Sequence, residues 1–251
     1  LFLALIAFIF SKIIAAIRLN YYFRNIDIHL TEWQNFRLYW MGMFYNLFLP
    51  GSISGDAYKV ILLKRKFNAT YKKTTSAVLL DRFSGLLGLG LFLGVYSIIV
   101  LKNTLFVMII CAGALLAVLA FYLIVRFWLK DFIPSFMSTL LLGIIVQGLQ
   151  IICTYLIMAS LGIPFDIASY IFIFLFSSIA AVLPFTIGGL GAREIVFLEG
   201  SGYFGLPQET SIVISLLFYL ITLLTSAFGS IYVFSDPLKN EKRLPDKDSL
   251  S

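Results

Sequence analysis

The sequence predicts an all-α polytopic membrane protein, a helical bundle in which two re-entrant broken-helix hairpins are related as an inverted repeat. Three observations lead there. Apolar residues make up 60% of the 251 and charged residues only 13%, about half the charged share of soluble proteins. No soluble fold of this length hides that much apolar surface. The apolar residues also fall in runs near the roughly 20 residues that one bilayer crossing needs, without the period-two alternation of a membrane barrel. Finally, two shorter apolar runs each stop at a proline followed by glycines. The expected organisation is one integral membrane domain, 1–235, and a charged cytoplasmic tail, 236–251.

The opening run, 1–17, reads as a spanning helix interrupted only by Lys12. A lysine near a helix end snorkels to the interface. The chain starts inside this run and without Met, which reads as a fragment of a longer protein. A signal peptide is not expected, because the run lacks a basic start and a small-residue cleavage site. Arg18 to Glu32 is polar and interfacial, and it holds His29, the lone histidine, expected as a solvated loop residue. The aromatic-rich run from Trp33 to Leu49 is short for a span and ends at Pro50-Gly51. Residues 33–56 are therefore expected to be re-entrant. From Ala57 to Lys73 the chain is basic, with Lys59, Lys64, Arg65, Lys66, Lys72 and Lys73, and Asp56 stands just before it.

A long helix at 74–100 carries Asp81-Arg82, and 104–125 is an uninterrupted span. Arg126, Lys130, Asp131 and Pro134 connect it to a span at 138–161. That span holds Gln147 and Gln150, three residues apart on one face and expected to hydrogen-bond between helices. Gly162-Ile163-Pro164 breaks it. The next run is short and stops at Pro184, so 167–205 is the second re-entrant candidate. A span at 211–234 follows, and the tail from Asp236 has the composition of a disordered segment.

The two breaks match each other. Leu49-Pro50-Gly51-Ser52-Ile53-Ser54-Gly55 aligns with Leu183-Pro184-Phe185-Thr186-Ile187-Gly188-Gly189 at a constant displacement of 134, which also carries Lys59 onto Arg193. Proline ends a helix by removing a donor, and glycine lets the chain turn back. Freed backbone at membrane depth must meet protein or a wet cavity. Paired Gly/Pro-interrupted segments in two halves point to a transporter-type binding site. Pro50, Gly51, Gly55, Pro184, Gly188, Gly189 and Gly191 are the break residues.

Charge placement gives the orientation. If 57–73 is cytoplasmic, the three spans that follow put Arg126 and Lys130 inside and leave the loop at 162–166 outside without Lys or Arg, as the positive-inside rule asks. The tail is also inside only if 167–205 enters and leaves from the outer face. Likewise 33–56 must enter and leave from the inner face. Sixteen of the 19 Lys and Arg then lie inside.

Basic residues confined to short stretches between apolar runs fit topology signals, and nucleic-acid binding is not expected. Cys111 and Cys153 sit inside apolar runs with no CxxC and no His/Cys cluster. No disulfide framework, metal site or cofactor is expected.

The run Gly42-Met43-Phe44-Tyr45-Asn46-Leu47-Phe48-Leu49-Pro50-Gly51 with Gly55-Asp56 and Lys59 resembles the lysylphosphatidylglycerol synthase-type transmembrane family. So do Leu80-Asp81-Arg82-Phe83-Ser84-Gly85-Leu86 and Leu183-Pro184 with Gly188-Gly189-Leu190-Gly191-Ala192-Arg193-Glu194. The resemblance covers most of the chain, with Ser54 standing where the family usually has Gly and Lys59 where it usually has Arg. It implies a multi-pass, flippase-like protein of a prokaryotic cytoplasmic (inner) membrane. It also implies the translocation module without the soluble aminoacyl-transfer domain, and similar modules accompany glycosyltransferases.

Charges within a span cost about 2.5–3.5 kcal/mol each on insertion scales, so they face protein or water. Asp81 and Arg82 are about 100° apart on a helix and need separate partners; Asp56, Lys59 and Arg193 are the candidates. Arginine suits phosphate because its fork binds two oxygens. Asn46, Asp56, Lys59, Asp81, Arg82, Arg193 and Glu194 are therefore the expected lining of a polar cavity for a lipid head group, or a structural ion-pair network. Asn46 is placed to hydrogen-bond backbone freed near Pro50. The leading expectation is translocation of a phospholipid or polyprenyl-linked lipid by a protein that is not an enzyme. The alternative is a membrane enzyme, or an accessory subunit partnered with a lipid head-group or glycosyl transferase. Against the enzyme, no paired carboxylates, Ser/His/Asp set, HExxH or nucleotide loop is visible.

Overall fold

Nine α-helices and two short 3-10 segments account for nearly all of the described chain, and strands are absent among the described residues. The structure is a computed structural model that describes residues 1–49, 53–182 and 189–239. The predicted helix breaks at Pro50, Gly51, Pro184 and Gly188, and the tail from 240 on, lie outside the described residues. The protein is an all-α polytopic membrane protein. The helices are α1 (Phe2–Arg24), α2 (Glu32–Phe48), α3 (Ser54–Phe67), α4 (Tyr71–Val100), α5 (Thr104–Trp128), α6 (Phe136–Ser160), α7 (Ile167–Val182), α8 (Ala192–Phe204) and α9 (Gln208–Ala227). Five stretches are long and apolar enough to cross a membrane: α1, α4, α5, α6 with the 3-10 turn before it, and α9 with the 3-10 turn after it.

Local chemistry sets the helix ends. Thr31 and Gln34 form a capping box on α2: Gln34 N–H donates to Thr31 Oγ1 at 3.2 Å and Thr31 N–H to Gln34 Oε1 at 3.0 Å, which satisfies two otherwise orphaned donors. Thr70 and Asn103 accept the first free amides of α4 and α5. Asn68 after α3 and Gly205 after α8 take left-handed backbone, at φ 50° and 67°, the usual stop for a helix.

Two ends differ from the sequence expectation. α1 does not stop at Ile17 but runs to Arg24, because Arg18 is buried against a counter-ion instead of lying at an interface. The helix that begins at Ser54 does not end at residue 56, the expected boundary; α3 carries on through the basic residues to Phe67.

The ends of the bundle are tied by polar contacts. Arg24 pairs with Glu32, Lys73 with Asp131 and Lys66 with Asp236. Arg37 donates to the Lys239 carbonyl, and Asn25 to Ser135 Oγ. One end of the bundle thus collects the end of α1, the start of α2, the end of α3, the start of α4, the α5–α6 connection and the segment 236–239. α2 leaves this end and α3 returns to it. At the opposite end Leu101, Ile163, Ile167, Phe204 and Leu206 share one apolar cluster, so the start of α7 and the end of α8 lie together there.

Displacement by 134 lays α1 on α6, α2 on α7, α3 on α8, and α4 on α9 with its 3-10 extension; α5 has no counterpart. Packing follows the same exchange. α1 packs on α2 and α4 as α6 packs on α7 and α9. α2 packs on α3 as α7 does on α8, and α4 meets α7 as α9 meets α2. α1 and α6 pack on each other.

The apolar core is in two parts. One gathers α7, α8 and α9 with Phe8 of α1 and Leu89 and Leu93 of α4. The other gathers α2 and α3 with Leu19 and Phe23 of α1 and Leu80 and Leu87 of α4. Between Phe8 and Leu19, α1 shows Ser11, Lys12, Ala15, Ala16 and Arg18. The polar site lies at this seam.

Candidate functional site

The seam holds a cavity of about 310 Å³, lined from α1, α2, α3, α4, α6, α7, α8 and α9. Its charged lining is Lys12, Arg18, Lys59, Arg82 and Arg193 against Asp56 and Asp81. α1, α4 and α6 present it near their midpoints, so it lies at the depth where unpaired charge is most costly.

Arg18 and Asp81 make the most buried pair, with Arg18 Nε 2.7 Å from Asp81 Oδ1 and side chains 5% and 10% exposed. Glycines make room for it. A Cβ on Gly85, one turn past Asp81, would lie 3.2 Å from Arg18 Nη1, and one on Gly143 of α6 would lie 3.5 Å from the same atom. Held between these glycines, Nη1 has no acceptor among the described residues. The same glycines let α4 and α6 cross with backbones in contact. A Cβ on Gly143 would meet the Ser84 carbonyl oxygen at 2.5 Å, and one on Gly88 the Gly143 carbonyl carbon at 2.7 Å.

Asp56, in the first turn of α3, serves two cations. Lys59 Nζ donates to Oδ1 at 3.0 Å and Arg82 Nε to Oδ2. Lys59 reaches inward because Gly42 has no side chain: a Cβ there would be 2.2 Å from Lys59 Cε. Lys59 Nζ also stands 4.9 Å from the Tyr39 ring centroid, a cation–π distance. Gly55 brings α3 against α2, since a Cβ on it would be 2.0 Å from the Gly42 oxygen. Asn46 Oδ1 accepts the Gly55 N–H at 2.8 Å and so ties the two arms beside the break.

The first turn of α8 supplies Arg193. Its Nη1 donates to Ser178 Oγ at 3.4 Å, and its guanidinium carbon lies 4.8 Å from the Phe218 ring centroid. No carboxylate among the described residues pairs with it. Glu194 turns elsewhere: it accepts the Gly191 N–H at 2.6 Å and the Ser215 O–H at 2.7 Å, capping its own helix. Gly189 and Gly191 hold φ of 90° and 85°, values open to glycine at little cost.

Lys12 departs from the snorkelling expectation. It lies halfway along α1, 4.5 Å from the Phe8 ring centroid, and faces the cavity. Of the expected residues, Asn46, Asp56, Lys59, Asp81, Arg82 and Arg193 all line the cavity, and Glu194 caps α8 behind it. Arg82 finds Asp56, one of its candidate partners, whereas Asp81 takes Arg18, which had been placed at an interface. Lys12, Arg18, Tyr39 and Ser178 are among the lining residues the sequence reading missed. A signal was available: positions 12, 15 and 18 fall within one 120° arc of a helix. Gln147 donates to the Gly85 carbonyl at 3.2 Å, an interhelical bond, and Gln150 faces the cavity. No group of three or more His, Cys, Asp or Glu comes together among the described residues. Cys111 and Cys153 are both free thiols.

Residues 1–229 match the model of the family described as the lysylphosphatidylglycerol synthase TM region. A UPF0104 membrane protein of Pyrococcus horikoshii is 23% identical over 296 residues, an alignment covering 96% of this chain and 87% of that protein. No solved structure matches.

Proposed function

The chain belongs to the family of the lysylphosphatidylglycerol synthase TM region, and from that premise we propose that it is a flippase-like protein that moves a phospholipid or polyprenyl-linked lipid across a prokaryotic cytoplasmic membrane. The observation that carries the proposal is the cation-rich cavity at mid-depth in an otherwise apolar bundle. A lipid crosses slowly because its charged head group must pass through hydrocarbon. A cavity of Arg, Lys, Gln and Ser side chains gives that group partners halfway, while the acyl or prenyl chains remain in lipid.

The two halves supply a means of opening that cavity to each face in turn. α2 and α3 leave and return to one end of the bundle, α7 and α8 share the other, and the 134-residue displacement relates them. This supports a pair of re-entrant hairpins entering from opposite faces, the arrangement on which alternating access is built. Lys59 and Arg193, equivalent under the displacement, both reach the cavity. Lys64, Arg65, Lys66 and Lys73 lie towards the end that also holds residues 236–239, which supports a cytoplasmic C-terminus. The protein acts on the lipid's position and not its bonds, and the partner that makes or uses the head group is a separate transferase.

The test is reconstitution of the purified chain in vesicles with a head-group-labelled lipid, following loss of the inner-leaflet label to a membrane-impermeant quencher. Movement well above that of protein-free vesicles is expected. Equal rates in the two preparations would remove the translocation reading.

A further inference from the structure

The cavity's charges do not balance. Among the described residues five cations line it against two carboxylates, and both carboxylates are already engaged, Asp81 by Arg18 and Asp56 by Lys59 and Arg82. The cations without a carboxylate are Lys12, from the first half of the chain, and Arg193, from the second. Their contacts are the face of Phe8 for one and Ser178 and aromatic faces for the other. Both line the same cavity, so their charges add there. Glu194, the one further carboxylate near Arg193 among the described residues, is held by Gly191 and Ser215. Counting it in full still leaves a surplus of two positive charges.

A surplus of this kind at membrane depth is unfavourable until an anion enters. The size of the surplus selects the anion. A phosphomonoester carries about −1.5 to −2 near pH 7 and neutralises it. A phosphodiester, with a single negative charge, leaves one cation uncovered, and a head group with its own ammonium adds to the excess. We propose that Lys12 and Arg193 together form a seat for a lipid phosphomonoester, in preference to phosphodiester or aminoacylated head groups. This rests on reading the cavity as a head-group site.

The experiment measures binding to the full chain in detergent by thermophoresis. The probes are short-chain phosphatidic acid, phosphatidylglycerol and lysylphosphatidylglycerol, with inorganic phosphate as a competitor. Phosphatidic acid should bind about tenfold or more tightly than phosphatidylglycerol, the equivalent of one close charge contact, and the lysyl lipid weakest. Lys12→Gln and Arg193→Gln should each bring phosphatidic acid down to the level of the diester and leave the diester little changed. Exchange of the cations, Lys12→Arg with Arg193→Lys, should keep the preference, and Lys102→Gln on an exposed loop should have no effect.

Equal affinity for mono- and diester, or tighter binding of the lysyl lipid, overturns the inference. So does competition by inorganic phosphate at concentrations matching the lipid, which would make the site one for a free anion. If the neutral variants do not fold, the ranking of the three lipids on the unaltered chain decides. Ranked binding without movement in vesicles would remove the translocation reading and leave this one standing. Movement of all three lipids alike, without ranked binding, would do the reverse.

Discussion

A guanidinium inside a membrane bundle is costly without a counter-ion, and Arg18 has one in Asp81 at 2.7 Å. Removing one member leaves the other charged and buried, a loss of about 3–5 kcal/mol, whereas replacing both by apolar groups of similar size is often close to neutral. Asp81→Ala should therefore lower thermal stability in detergent sharply. Arg18→Met with Asp81→Leu should recover most of it, and denaturation of the single and double variants checks both. Asp81 and Arg82 were legible because a charged pair inside a long apolar run has no lipid-facing solution. Lys12 and Arg18 were misread for a physical reason. Each sits where a helix end was a plausible guess, and a long side chain near an end has the option of snorkelling. What removed that option was the continuation of α1 to Arg24, and the sequence alone does not mark that end.

Among the elements, close approach is set by glycines that a helix would otherwise do better without. α4 and α6 cross at Gly88 and Gly143 with no room for a Cβ on either. Gly143→Ala should force the backbones apart and narrow the space around Arg18, with a loss of about 1–3 kcal/mol typical of overpacking. Gly113 on α5 is the control, since a Cβ there meets nothing within 4 Å. Gly113→Ala should be neutral or stabilising by up to about 1 kcal/mol through helix propensity. Melting temperatures of the two variants in the same detergent compare them directly. α5 differs from its neighbours because only Phe121 and Val125 of its 25 residues are buried, leaving Leu115, Leu116 and their like towards lipid. Its existence as a span was legible from its unbroken apolar run. The extents of α2 and α3 were not, because α3 mixes three lysines and an arginine with Val60 and Leu63, and only its packing on α2 and α4 shows which side is inside.

For the whole molecule, the displacement of 134 was visible in seven residues around each break, and the helix bounds extend it to four helices per half. The rest of the repeat was hidden because its helices share position without sharing chemistry: Lys12 and Arg18 correspond to Val146 and Ile152, and Asp81 to Ser215. The orientation is checked by placing cysteines at positions 68 and 245 in a background lacking Cys111 and Cys153. Both should resist an impermeant thiol reagent in intact cells and react once the membrane is opened; labelling of either from outside would reverse the topology. The Arg18–Asp81 pair has a consequence for how the protein is made. Its members are 63 residues apart, so at about 5–20 residues per second α1 emerges some seconds before its counter-ion exists. Lys12 and Arg18 together cost about 5–7 kcal/mol on insertion, and the dozen Leu, Ile and Phe residues of α1 return about 4–7 on the same scale. The newborn helix is thus poised near indifference between the translocation channel and lipid, and its commitment to the membrane waits on the synthesis of α4.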